Sequence, residues 1–165
     1  MATVDRDIKV TMPSDLEVLI TREFDAPRDL VFEAHTACEH MSKWWGPRKY
    51  DIPECDIDFR EGGNWRIVHR GPDGDEHVFR GEYREIVRPD RLVWTFEWMG
   101  APGHISVQTL ELEELDGKTL MKSKLTFDTK EDRDGMMASG AAEGGAESWE
   151  RLDEYLETLK DRGGR

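Results

Sequence analysis

Cysteine is scarce in this sequence, and positive charge falls short of negative. Its two cysteines, Cys38 and Cys55, form no CxxC pair, and residues 1–10 carry neither a basic n-region nor an apolar h-region. A secretory signal is therefore not expected, and the default is a cytoplasmic protein with both thiols free. No apolar run approaches the roughly 18 residues that span a bilayer, which argues against membrane insertion. Basic residues number 23 against 36 acidic ones, a formal net charge of −13. Nucleic acid needs a basic footprint on its partner, so that class is excluded, and anionic membrane surfaces are disfavoured. The acidic excess reads as a well-solvated surface, or more specifically as adaptation to high salt. No Ser-His-Asp order, phosphate loop or paired-carboxylate motif is present. No catalytic residue is assigned and no cofactor is implied. His35, Cys38 and His40 lie close in sequence and Cys55 could approach them, but they surround a helix–helix turn without a recognised zinc-ligand spacing, so no metal is expected.

What the sequence does have is large aromatics and strand alternation. The 165 residues favour one domain, with six Trp and six Phe carrying much of the burial. Residues 1–14 read as a flexible N-terminal tail and 15–162 as the domain, with residues 161–165 as a frayed end. Leu16, Val18, Ile20 and Phe24 alternate with polar residues, which predicts a half-buried strand. Arg22 falls on its apolar side, where the expected role is a charge satisfied by a buried carboxylate or by a sheet end. Pro27 at a first helical position starts a short helix. A second short helix over about Cys38–Trp45 ends at Gly46-Pro47. The adjacent Trp44 and Trp45 cannot share one helix face; one packing inward with the other over an opening is one reading, and both serving as core or lid packing is the favoured one.

A meander follows. Candidate strands are Tyr50–Phe59, Asn64–Arg70, His77–Val87, Leu92–Met99, Ile105–Glu113 and Thr119–Asp128, each bounded by Gly, Pro or Asp turn chemistry. Thr129 with Asp132 resembles a helix capping box. Gly140, Gly144 and Gly145 cost a helix roughly 1 kcal/mol each relative to Ala, so either a helix breaks there or close packing offsets the cost. From Gly144 to Lys160 the chain is clearly helical. Trp149, Leu152, Leu156 and Leu159 recur on one face, Ala142 and Ala146 extend the stripe, and Glu147, Glu150, Asp153, Glu154 and Glu157 take the other. A bent sheet must cover one face, and this helix is the large apolar cover available.

Several motifs then carry a family resemblance. The runs 20–27 (ITREFDAP), 40–47 (HMSKWWGP), 60–66 (REGGNWR), 81–86 (GEYREI) and 89–93 (PDRLV) resemble the activator-of-Hsp90-ATPase-like family of the START/Bet v 1-like SRPBCC superfamily. The resemblance covers about residues 16–160. It implies an α+β helix-grip fold: a curved antiparallel sheet of six or seven strands wrapped around a long C-terminal helix, with two short helices after the first strand. Where the family usually has an aromatic after the glycine of the last helix, this chain has Gly145, and Trp149 stands one turn later.

The resemblance implies a cavity between sheet and helix. The expected function is binding of a small hydrophobic molecule there. Alternatives are an Hsp90-type co-chaperone or stress-response interaction module, and a polyketide cyclase/dehydratase-like enzyme; fold alone does not decide among them. Inward strand positions and the helix nominate Trp45, Trp65, Ile67, His69, Phe79, Tyr83, Trp94, Phe96, Met137 and Trp149 as cavity lining. Of these His69 is the best candidate acid or base, with Tyr83 and Glu85 behind it, although a lone His on an apolar face is more often a core residue. Oligomeric state is not legible.

Overall fold

The computed structural model describes residues 6–139 and 141–163, with side chains in the second range from 144 to 161. Its elements are β1 (Lys9–Thr11), β2 (Glu17–Phe24), α1 (Arg28–Glu33), α2 (Cys38–Trp44), β3 (Asp51–Ile57), β4 (Asn64–Arg70), β5 (Glu76–Val87), β6 (Arg91–Trp98), β7 (Ile105–Leu115), β8 (Lys118–Thr126), α3 (Lys130–Ala138) and α4 (Ala141–Gly163). The strands form one sheet in the order β1-β2-β8-β7-β6-β5-β4-β3, and every pair is antiparallel. Strands β3 to β8 are successive neighbours. The chain crosses from β2 to the far edge through α1 and α2.

Alternation decides which side chains the sheet presents to the helix. Along β6, Leu92, Trp94 and Phe96 share one face, while Glu97 on the other meets Arg80 of β5 at 3.1 Å. Phe24, Phe32, Trp44, Ile67, Leu92, Leu110 and Met121 close against Leu152, Leu156 and Leu159 of α4. The stripe seen in the sequence is thus the buried face, and each fully buried Leu stabilises by about 1.5–3 kcal/mol. Val18, Leu125 and Phe127 form a separate cluster under Met136 and Met137. Arg22 is satisfied, but chiefly by backbone carbonyls rather than by the carboxylate expected. It donates to the Trp149 carbonyl at 2.5 Å and the Arg6 carbonyl at 3.1 Å, and lies 3.7 Å from Asp153.

Four expectations need correction or sharpening. The sheet has eight strands, because residues 9–11 within the segment read as a loose tail pair with β2 as β1. α1 begins at Arg28, with Pro27 as its cap residue. The glycine run does not break the last helix, since Gly144 and Gly145 lie inside α4; Gly140 and the side chain of Ala142 fall outside the described residues. The thiols are not free: Cys38 and Cys55 form a disulfide with their Cα atoms 5.8 Å apart, within the range a bridge spans. The cause is tertiary, because the start of α2 lies against β3. Thr129 caps α3 as its spacing suggests, accepting from the Asp132 N–H at 3.1 Å. No helix among the described residues is long and apolar enough to cross a membrane.

Candidate functional site

The strap that leaves α2, residues 45–48, is the piece that shapes the site. Gly46 turns it with φ at +87°, a conformation other residues resist. A Cβ on Gly46 would also stand 2.2 Å from the His69 ring, so the backbone rests directly on the imidazole. Polar side chains of α4, spaced along one of its faces, fasten the strap. Ser148 Oγ accepts from the Gly46 N–H at 2.7 Å, and Glu147 accepts from the Arg48 N–H at 2.8 Å. Arg151 donates to the Gly46 carbonyl at 2.8 Å and the Lys43 carbonyl at 3.2 Å. Glu154 pairs with the Arg48 guanidinium.

The two tryptophans at this corner divide their work. Trp44 is buried and donates its indole N–H to the Ala34 carbonyl at 3.0 Å. Trp45 is half-buried and turns under the strap, with ring centres 4.7 Å from His69, 5.3 Å from Phe79 and 6.3 Å from Trp65. Beneath it lies a small cavity of about 30 Å³, lined by His35, Met41, Trp45, Ile57, Trp65, Ile67, Tyr83, Leu92 and Trp94. That volume holds little more than water, against the roughly 300–1,000 Å³ of small-molecule pockets. The expected ligand-sized cavity is therefore filled by the aromatics. A larger cleft of about 490 Å³ lies between residues 6–8 and α4, but Arg6, Asp7, Arg22, Glu150, Asp153 and Glu154 line it, a charged wall that suits no apolar ligand.

Five of the nominated residues, Trp45, Trp65, Ile67, Tyr83 and Trp94, line the cavity. His69, Phe79 and Phe96 stand just outside it in the same aromatic cluster, with His69 to Phe79 at 5.2 Å and Phe79 to Phe96 at 5.5 Å. Trp149 packs edge-on against Phe24 at 6.2 Å. Met137 belongs to the separate cluster and not to this site. Sequence reasoning missed His35, Met41, Ile57 and Leu92 as lining. Leu92 shares the parity of Trp94 and was within reach of the strand pattern, whereas Met41 and Ile57 arrive only through tertiary contact.

The polar content of the site is small and unusual. His69 is 4% exposed, and its Nε2 has no hydrogen-bond partner. Burial, reinforced by the nearby His77 and Arg151 charges, depresses its pKa to about 4. His35 is likewise held to about 4 by burial, although its Nδ1 lies 2.7 Å from the Val31 carbonyl. Burial pushes the Tyr83 phenol up. At neutral pH the site is thus uncharged, with two neutral imidazoles and a neutral phenol set among aromatic rings. An unpartnered buried nitrogen such as His69 Nε2 costs about 1–3 kcal/mol. Cys38 and Cys55 are bonded to each other, and among the described residues no group of three or more His, Cys, Asp or Glu is arranged to hold a metal ion.

The family model described as activator of Hsp90 ATPase homolog 1-like protein matches residues 25–157. A crystal structure of a protein from Rhodobacter sphaeroides is similar at 26% identity and TM-score 0.86, covering 92% of this chain and 99% of that one. A solution structure of a protein from Arthrobacter aurescens has 27% identity and TM-score 0.83, covering 91% of each chain. A crystal structure from Nitrosomonas europaea has 26% identity and TM-score 0.80, covering 91% of this chain and 99% of that one. A search of curated proteins finds no match.

Proposed function

Because the chain belongs to the family of activator of Hsp90 ATPase homolog 1-like proteins, we propose that it binds a small apolar molecule in the aromatic core between the concave sheet and α4, by displacing the strap at residues 45–48. The observation that carries this reading is the unpartnered, buried Nε2 of His69 under Gly46, beside a void ringed by Trp45, Trp65, Tyr83 and Trp94. A core built only for stability would pair that nitrogen or replace it with carbon. A ligand with an apolar frame and one hydroxyl, carbonyl or amine N–H would satisfy it once the strap lifts.

The closed form sets the affinity. A site open for only a fraction of the time binds more weakly by that fraction. The Ser148 and Arg151 hydrogen bonds to the strap therefore oppose binding. Titration with N-phenyl-1-naphthylamine, read by its fluorescence, tests this. The expected result is saturable binding at one site, tightened several-fold in Arg151→Ala, whose strap is less firmly held. Absence of saturable binding in both proteins overturns the proposal.

The family name favours a second reading, contact with an Hsp90-type chaperone. Stimulation of a chaperone's ATPase by the protein, without uptake of the probe, would select it. A cyclase- or dehydratase-like reaction finds less support, because no orienting carboxylate meets His69 Nε2.

A further inference from the structure

β3 is the edge wall of the site, with β4 as its one sheet neighbour. It carries Pro53, its pairing shifts register between Asp51 and Glu54, and none of its side chains is fully buried. Edge position, proline and irregular pairing each lower the cost of local opening. Cys55 and Ile57 are two residues apart on β3 and share a face. Cys38 and Met41 are three apart on α2 and share a face. Met41 and Ile57 both line the cavity, and the Cys38–Cys55 bond ties the same two faces together. α2 has a second anchorage, since His40 Nδ1 lies 2.7 Å from the Tyr155 hydroxyl and Arg151 holds the Lys43 carbonyl. Both cysteines are half-buried, not sealed in the core.

From this placement we infer that the Cys38–Cys55 disulfide is a redox-sensitive clasp that keeps the aromatic core shut, and that its reduction lets β3 swing from α2 and gives ligand a second way into the same core beside the strap. The inference rests on the binding function proposed above and supplies its regulation. The step is thiol–disulfide exchange with a dithiol reductant. One thiolate of the dithiol attacks a cysteine sulfur, the S–S bond breaks, and a mixed disulfide forms. The second thiolate then displaces the remaining cysteine. Two electrons pass to the protein, Cys38 and Cys55 each end as thiols, and the dithiol leaves as its own disulfide. α2 stays fastened to α4 throughout, so the opening is confined to the β3 side.

The test compares the protein kept in air with the protein under a dithiol reductant, using N-phenyl-1-naphthylamine as probe and hydrogen exchange as a second readout. Reduction is expected to tighten probe binding by about tenfold or more, as a larger open fraction requires. Exchange should rise at residues 51–57 of β3 and stay unchanged in α2, β6, β7 and β8. A Cys38→Ser, Cys55→Ser double variant should behave as the reduced protein whether or not reductant is present; if it fails to fold, the wild-type pair of measurements still decides. Equal affinity and equal exchange in the two redox states would overturn the clasp, as would two free thiols in the air-kept protein or exchange that rises across the whole sheet. Failure of the probe to bind in either state defeats the binding function, while a local rise in exchange on reduction would still establish the clasp.

Discussion

His35 and His69 show how much a single side chain can reveal. Each has a pKa near 6.5 in the unfolded chain and about 4 in the folded one. Above pH 6.5 both rings are neutral in both states, and the fold keeps its full stability. As pH falls from 6.5 towards 4 the unfolded chain takes up protons that the folded one refuses, so stability is lost across that window. Each ring contributes on the order of 3 kcal/mol at about 1.4 kcal/mol per pH unit. Glu97 and Glu154 are held below the usual carboxylate range by a backbone N–H from Gly103 and by the Arg48 guanidinium respectively, so their effect falls at more acidic pH. Urea unfolding at steps between pH 7 and 4.5 should therefore show wild type losing stability, and His69→Phe losing about half as much. Parallel curves for the two proteins would mean that His69 is protonated as readily folded as unfolded. The sequence placed His69 on an apolar strand face, and that much was readable. Its missing partner was not, because the Gly46 backbone that covers it comes from a distant part of the chain.

α4 is the element whose sequence was plainest, and it holds the clearest local departure. Gly145 stands where the family resemblance leads one to expect an aromatic. A Cβ there meets nothing within 4 Å, and one at Gly144 meets only Pro47 Cγ at 3.5 Å. Neither glycine is required by close packing, yet each costs the helix up to about 1 kcal/mol relative to Ala. Gly145→Ala should stabilise the protein by roughly 0.5–1 kcal/mol, which at about 2–4 °C per kcal/mol for a domain of this size shows in a thermal melt. A lower melting temperature would show that Gly145 serves a backbone geometry that Ala cannot adopt. Other elements were legible for a shared reason: period-two alternation marked β2, β4, β6 and β8, Gly and Pro turns bounded β5 and β7 as well, and Thr129 announced α3. β1 escaped because its three residues are all exposed, so it carries no buried face to read and is held by backbone pairing. The disulfide escaped because α2 meets β3 only in three dimensions. Alternation also could not tell whether the inward aromatics surround a space or fill it, since that depends on how Trp45 turns beneath the strap.

At the scale of the whole molecule, salt acts on the charges in two opposing ways. Arg and Lys side chains are widely engaged in surface pairs such as Arg91–Glu111 at 3.0 Å, Arg70–Asp51 at 3.1 Å and Lys124–Glu17 at 3.4 Å. Salt weakens these, but exposed pairs contribute only about 0–1 kcal/mol each and act over short distances. The excess of 13 negative charges repels across the molecule, and most strongly at low salt, where the screening length is about 30 Å against about 3 Å at 1 M. α4 concentrates the repulsion, with Glu147, Glu150, Asp153, Glu154 and Glu157 along one helix. Arg6, Arg22 and Arg48 neutralise only part of it. Long-range repulsion should therefore outweigh the lost pairs, and the melting temperature should rise between 10 mM and 1 M NaCl. A net gain of 1–2 kcal/mol corresponds to roughly 2–8 °C. Measured with NaCl and again with a salt of weaker protein exclusion, a rise common to both identifies screening as the cause. A flat or falling melting temperature would mean that the local pairs carry the balance and that the acidic surface serves solubility alone.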